Sequence, residues 1–245
     1  MSRQPQPSAA AESGSDDLVP DLTYAAYLHL PQLLDTQHPS TPESDRVTHA
    51  AEHFFIVTHQ SCELWLKQAV LDLELASEAL RQPPRDLGLC LEQVRRVARI
   101  VGLVEGHFRM MERLSVRCFA RFRPRLGTAS GSQSGQFAEV FRQVGLYGAK
   151  SPLYEGFLAA LGEHDLTVTD VYRGAPHTGL PYVLAEALID LSEKIRDCLL
   201  AHVDVVARQI GGKPGTGGSS GVAHLAGRVA APFPELWEAR ATAAG

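Results

Sequence analysis

From about residue 48 to residue 210, apolar side chains recur every three or four positions and nowhere settle into the alternation of a half-buried strand. Spacing of that kind puts apolar groups on one stripe of a helix, and the stripe must be buried. The chain is therefore restricted to an all-α fold, read as one bundle-like domain over residues 21–245. Long helices are predicted at roughly 48–81, 86–122 and 181–210. Shorter ones are predicted near 22–30, at 133–145, after Pro152 and at 222–231, with a Pro-containing tail beyond. The first long helix is so dense in apolar residues that it must be covered on most sides, and Pro83-Pro84 ends it. Residues 1–20 carry almost no large apolar side chain, cannot bury enough surface to offset ordering, and are expected to be disordered.

Bulk properties exclude several classes. The 245 residues carry a net charge of −5, and the basic residues are dispersed rather than gathered on one face, which argues against nucleic-acid binding. No apolar run approaches a membrane span, and no basic-then-apolar leader opens the chain. Cys62, Cys90, Cys118 and Cys198 are far apart and form no CxxC pair. Buried thiols in a reduced, cytoplasmic protein are the simplest expectation.

Two histidines stand out because their surroundings are apolar. His59 lies in Phe54-Phe55-Ile56-Val57-Thr58-His59, and His202 lies in Leu199-Leu200-Ala201-His202-Val203. An imidazole among apolar side chains is costly unless something satisfies it. Each is either a core histidine bonded to a neighbour or a polar group on the wall of a pocket. A lone histidine on such a helix is also a common way to hold heme iron. The loop Gly211-Gly212-Lys213-Pro214-Gly215-Thr216-Gly217-Gly218-Ser219-Ser220-Gly221 has a flexible-linker composition, and its Lys-Pro step rules out a Walker phosphate loop. Its backbone donors and the Thr216 hydroxyl could close over a small polar ligand. The arginines at 117, 121, 123 and 125 read as a solvated helix end or as partners for carboxylates.

Five segments taken in order resemble the tryptophan 2,3-dioxygenase family. They are Leu22-Thr23-Tyr24-x-x-Tyr27-Leu28, Phe55-Ile56-Val57-Thr58-His59-Gln60-x-x-Glu63-Leu64-Trp65, Phe122-Arg123-x-x-Leu126-Gly127-x-x-Ser130-Gly131-x-Gln133-Ser134, the segment from His202 through Gly221-Val222, and Phe233-Pro234-Glu235-Leu236-Trp237. The resemblance implies a helical bundle of that family's type with non-covalent heme b and dioxygen. It implies His202 as the proximal iron ligand and His59 as the distal catalytic residue facing an indole N–H. Phe55 and Thr216 would touch the substrate, and Trp65, Arg123, Ser130 and Gly131 would lie at the cofactor. Tyr24, Tyr27 and Leu28 would reach the substrate of a neighbouring subunit in a homotetramer with exchanged N-termini.

One position departs from the family pattern. Ala138 stands where the resemblance places an arginine for the substrate carboxylate, and Arg142, one turn on, is the candidate replacement. The chain is also shorter than the family between this helix and His202, so Phe141 and Tyr147 are expected to line a reshaped site. The implied reaction is insertion of both oxygen atoms with cleavage of the indole C2–C3 bond, to an N-formylkynurenine-like product. The alternatives are single-oxygen insertion into an indole or another aromatic amino acid, and a non-catalytic heme-binding or gas-sensing protein.

Overall fold

A computed structural model describes residues 22–174 and 179–243, and every regular element among them is helical. The expected tail at 1–20 lies outside the described residues. The contacts divide the chain at Gln37/His38 into two units. The described part of the first unit holds two single-turn helices, α1 (Tyr24–Tyr27) and α2 (Leu30–Leu33). The Thr23 hydroxyl caps α1 by accepting the Ala26 N–H at 3.2 Å, and Pro31 sits in the first turn of α2, where its missing N–H costs nothing.

The second unit is built on three helices, α3 (Arg46–Ala79), α4 (Leu87–Met111) and α9 (Leu180–Ile210), with α4 packed against both of the others. Each shows a buried stripe at three- and four-residue spacing. On α3 it runs through Glu52, Cys62, Leu66, Ala69, Leu73 and Ala76. On α4 it runs through Val94, Val97, Val101, Val104 and Phe108, and on α9 through Leu184, Leu188, Leu191, Ile195, Cys198 and Val205. His59 falls on the α3 stripe three residues before Cys62, and His202 falls on the α9 stripe four residues after Cys198. Both imidazoles thus occupy positions that the helical period sends into the core.

The remaining helices are α5 (Val116–Phe122), α6 (Gly135–Gln143), α7 (Pro152–Gly162), α8 (Val168–Arg173), α10 (Val222–Ala226) and α11 (Pro234–Ala243). The predicted helix at 86–122 is two helices. The Ser115 hydroxyl accepts the Cys118 N–H at 3.3 Å and starts α5 afresh, so the chain turns after Met111. The Pro-containing tail holds a helix that was not expected, α11, fixed where Trp237 Nε1 donates to Ser192 Oγ at 3.0 Å and Leu236 is fully buried. Helix α8 was not expected either, although Thr167 and Asp170 form a capping box at its start.

The entry to α3 is fixed by a buried carboxylate. Glu52 is 3 % exposed and accepts the Ser40 and Thr41 N–H groups at 2.9 and 2.8 Å. Arg125 donates to the Ser40 carbonyl at 3.3 Å, tying the chain after α5 to the same loop. This brings α5 beside Phe55, one turn before His59.

Helix α7 meets the end of α3 at a position that only glycine fits. A Cβ on Gly156 would lie 2.7 Å from the Cβ of fully buried Leu80. Glycine to alanine inside a helix ordinarily stabilises by about 0.5–1 kcal/mol. Here the clash reverses the sign: Gly156→Ala is expected to destabilise by about 1–3 kcal/mol. Urea denaturation reads this directly, and an unchanged or raised midpoint would refute the close packing.

Candidate functional site

His59 and His202 face a common region between α3 and α9, near enough that a charge on His59 would disfavour one on His202. Both rings are largely removed from water. Burial lowers the pKa of His59, partly offset by the Phe55 carbonyl and the nearby Glu63 carboxylate. Burial, and secondarily His59, pulls His202 down to about 4. Both are therefore neutral imidazoles at neutral pH.

Their hydrogen bonding differs. His59 Nδ1 lies 2.8 Å from the Phe55 carbonyl oxygen. A carbonyl can only accept, so Nδ1 carries the proton and Nε2 is left as a bare acceptor. For His202 no hydrogen bond occurs among the described residues. Its ring is instead stacked on Phe108, with centroids 4.9 Å apart and planes 25° from parallel. A desolvated, neutral imidazole is the form in which a histidine binds a metal.

Aromatic rings wall the region on two sides. Phe55 lies 4.1 Å from His59 between ring centroids, and packs in turn on Phe119 and Phe122 of α5 at 5.9 and 5.5 Å. Behind His202, Phe108 stacks on Phe137 of α6 at 6.1 Å. Sequence reasoning missed Phe108, Phe119 and Phe122 as site residues. Phe108 continues the α4 stripe one turn past Val104, and that spacing was the available signal.

The glycine-rich loop after α9 lies down on the 123–133 segment. Arg123 donates to the Pro214 carbonyl. The Thr216 hydroxyl donates to the Ala129 carbonyl at 2.6 Å, and Gly217 comes so close that a Cβ there would be 3.1 Å from Ser130. Gly221 has φ +67°, and a Cβ on it would meet the Lys213 carbonyl at 2.5 Å, so the loop closes on itself only with glycine there. Ser130 and Gly131 form the 3₁₀ turn under the loop, with Gln133 completing a capping box on Ser130.

The other expected residues are placed differently. Arg142 is exposed and holds Glu139 with two hydrogen bonds at 2.8 and 2.6 Å. It also feels Glu74, which lies 15 residues along α3 from His59, or about 22 Å at helical rise. The structure therefore does not bring Arg142 to the histidines. Ala138 is exposed, while Phe137, Val140 and Phe141 of the same helix turn inward. Tyr147 packs edge-on against Phe141 at 5.5 Å, under the Arg228 guanidinium, and so ends the aromatic row rather than lining the histidine site. Trp65 is 41 % exposed and about 120° around α3 from His59. Tyr24, Tyr27 and Leu28 are exposed in the first unit.

The neutral imidazoles carry a pH signature. The folded His202 pKa lies below the unfolded value of about 6.5, so the unfolded chain binds more protons between those limits. Stability is full above pH 6.5 and falls as pH drops toward about 4. In urea titrations at pH 7 and pH 5, His202→Phe is expected to flatten this loss. An equal loss in the variant would mean His202 is not the group responsible.

Comparison with known proteins agrees with the five-segment resemblance. The sequence model of the family described as tryptophan 2,3-dioxygenase matches residues 9–155 and 159–242. A tryptophan 2,3-dioxygenase of Caulobacter vibrioides is 32 % identical, over 90 % of this chain and 98 % of the relative. Those of Herpetosiphon aurantiacus and a Nocardioides strain are each 34 % identical, covering 90 and 89 % of this chain and 98 and 94 % of theirs. The chain that carries two facing neutral histidines on separate helices, and a glycine loop held against the Ser130 turn, thus belongs to the tryptophan 2,3-dioxygenase family.

Proposed function

We propose that this chain is a heme-dependent dioxygenase that uses dioxygen to cleave the indole ring of tryptophan between C2 and C3. The observation that carries the reading is the unequal pair of buried imidazoles, one with a bare Nε2 and one with no protein partner. The relatives' name supplies the substrate. No observation favours single-oxygen insertion or a non-catalytic role.

His202 has the chemistry to hold heme iron, and Phe108 behind it would fix the ring plane. Bound there, heme would supply the iron at which dioxygen is activated. The protein's part is positioning. His59 Nε2 accepts the indole N–H, because Nδ1 is already committed to the Phe55 carbonyl. Phe55, braced by Phe119 and Phe122, packs against the indole face. The loop segment at 211–221 covers the remaining side and excludes water.

The substrate carboxylate needs a cation, and neither Ala138 nor Arg142 supplies one here. Arg121 pairs with Asp45 at 3.3 Å, and Arg125 reaches the Ser40 loop. Arg123 follows Phe122 directly and meets a backbone carbonyl but no carboxylate among the described residues. It is the arginine free to grip the substrate carboxylate, with Thr216 beside it for the amino group. This moves Arg123 from the cofactor edge, where the sequence put it, to the substrate.

The active form is a homo-oligomer, a homotetramer by the family resemblance. Helix α3 supports this by exposing Val57, Leu64, Leu71 and Leu75 in a stripe of near-heptad spacing. In the first unit Tyr24 and Tyr27 are 75 and 68 % exposed, as side chains meant for a neighbouring subunit would be. No helix among the described residues is long and apolar enough to cross a membrane, and the four cysteines are free and buried, which suits a cytoplasmic setting.

Reduced, heme-loaded protein given tryptophan in air is expected to yield a product heavier by both oxygen atoms. His202→Ala is expected to lose the Soret band of bound heme, and a retained band with unchanged ligation would overturn the assignment. Arg123→Gln is expected to weaken tryptophan binding by about 10–100-fold while leaving tryptamine, which lacks the carboxylate, nearly unaffected. Equal weakening of both would make Arg123 a loop tether only.

A further inference from the structure

Three rings lie in a row behind His202. Phe108 of α4 stacks on the imidazole with centroids 4.9 Å apart and planes 25° from parallel, and Phe137 of α6 stacks on Phe108 at 6.1 Å and 14°. Aromatic pairs favour offset, near-parallel contact at centroid separations of roughly 4.5–7 Å, so tilting one ring disturbs the next. Phe108 is buried at the end of the α4 stripe, which leaves the outer end of the row as the place where it can be turned. Phe137 is only half-buried there. It borders a partly open apolar crevice with Val140, Cys198 and Leu199, and this gives its ring room to move.

Phe137 also stands a few residues from where the glycine loop lands. The Thr216 hydroxyl donates to the Ala129 carbonyl at 2.6 Å, and Gly217 abuts Ser130. From Ser130 onward, local hydrogen bonds tie each turn to the next. The Gln133 N–H donates to the Ser130 carbonyl at 2.9 Å, and the Ser134 N–H donates to the Gly131 carbonyl at 3.1 Å. The Phe137 N–H then donates to the Ser134 hydroxyl at 3.1 Å, which caps α6. The landing turn and the first turn of α6 are thus one tied segment, and Phe137 is the first aromatic side chain on it.

We propose that Phe137 is a positioning residue for His202: docking of the 211–221 loop on the Ser130 turn shifts the start of α6, and the Phe137 and Phe108 rings pass that shift to the imidazole. The inference rests on the reading above of the loop as substrate cover and of His202 as the iron ligand. It adds a line of contacts that links the two. The open and closed loop are the two states, and tryptophan biases His202 by favouring the closed one. The row ends against the face of the His202 ring, so the effect falls on the bond from His202 to iron rather than on the His59 side.

The test follows the iron–histidine stretching band of the reduced, heme-loaded protein by resonance Raman spectroscopy, with and without saturating tryptophan. In wild type tryptophan is expected to shift the band. In Phe137→Leu the shift is expected to be lost, although heme and tryptophan still bind. Val140→Ala loosens the same helix without touching the row of rings, and is expected to keep the shift. If Phe137→Leu does not fold, Phe137→Met fills more of the space, still lacks the ring and carries the same expectation. A wild-type band that tryptophan leaves unmoved would overturn the proposal. So would a full shift in the variant without the ring, or an equal loss in Val140→Ala, which would make the effect one of general packing. A protein that binds heme without a histidine–iron band would overturn the assignment of His202 instead, and with it this role for Phe137.

Discussion

Two imidazoles in helix positions reserved for the core are the constraint around which the rest of this molecule is arranged. A charged histidine at either place would face a desolvation cost that its neighbours do not outweigh, so both rings are kept neutral. His59 has its donor absorbed by its own helix, at the Phe55 carbonyl. His202 has only Phe108 against its face. A fold built for stability alone would place leucine at both positions, as it does at Leu66 and Leu188 of the same stripes. The departure from that rule marks the site.

Helix α4 keeps the two histidine-bearing helices in register. Its stripe of Val94, Val97, Val101 and Val104 is almost fully buried between α3 and α9, and Phe108 ends that stripe against His202. Rigid packing below the histidines contrasts with the loop above them. The 211–221 segment is fastened by a few polar contacts, from Arg123, Thr216 and the Gly217–Ser130 approach. Such contacts cost little to break and re-form, which suits the role of cover proposed for the loop. In the proposed reading, catalytic positioning comes from the helices and access from the loop.

The placement of the arginines shows how charge is divided by what each one meets. Arg96 is spent on buried Asp72, with hydrogen bonds at 2.7 and 2.6 Å. Arg142 is spent on Glu139, and Arg121 on Asp45. Arg123 meets only a carbonyl, and so keeps a full charge for a carboxylate brought by a ligand. In a linear sequence Arg96, Arg121 and Arg123 are indistinguishable, because their partners lie 24, 76 and 91 residues away; only Arg142 has its partner, Glu139, one turn off on the same helix.

Helical periodicity alone was enough to make the chain all-α, to bound α3 and α9 within about two residues, and to send His59 and His202 inward. Those are local properties, set by side-chain spacing on a single helix. The break before α5 and the helix at Pro234–Ala243 were missed, since the first depends on one capping hydroxyl and the second on docking against Ser192. The proposed carboxylate position is hidden from the sequence for the same kind of reason. Arg142 is held by Glu139 on its own helix, whereas whether Arg123 is free depends on which groups the fold brings near it. Pairing and packing between distant residues are decided by the tertiary structure, because their energies appear only when separate helices meet.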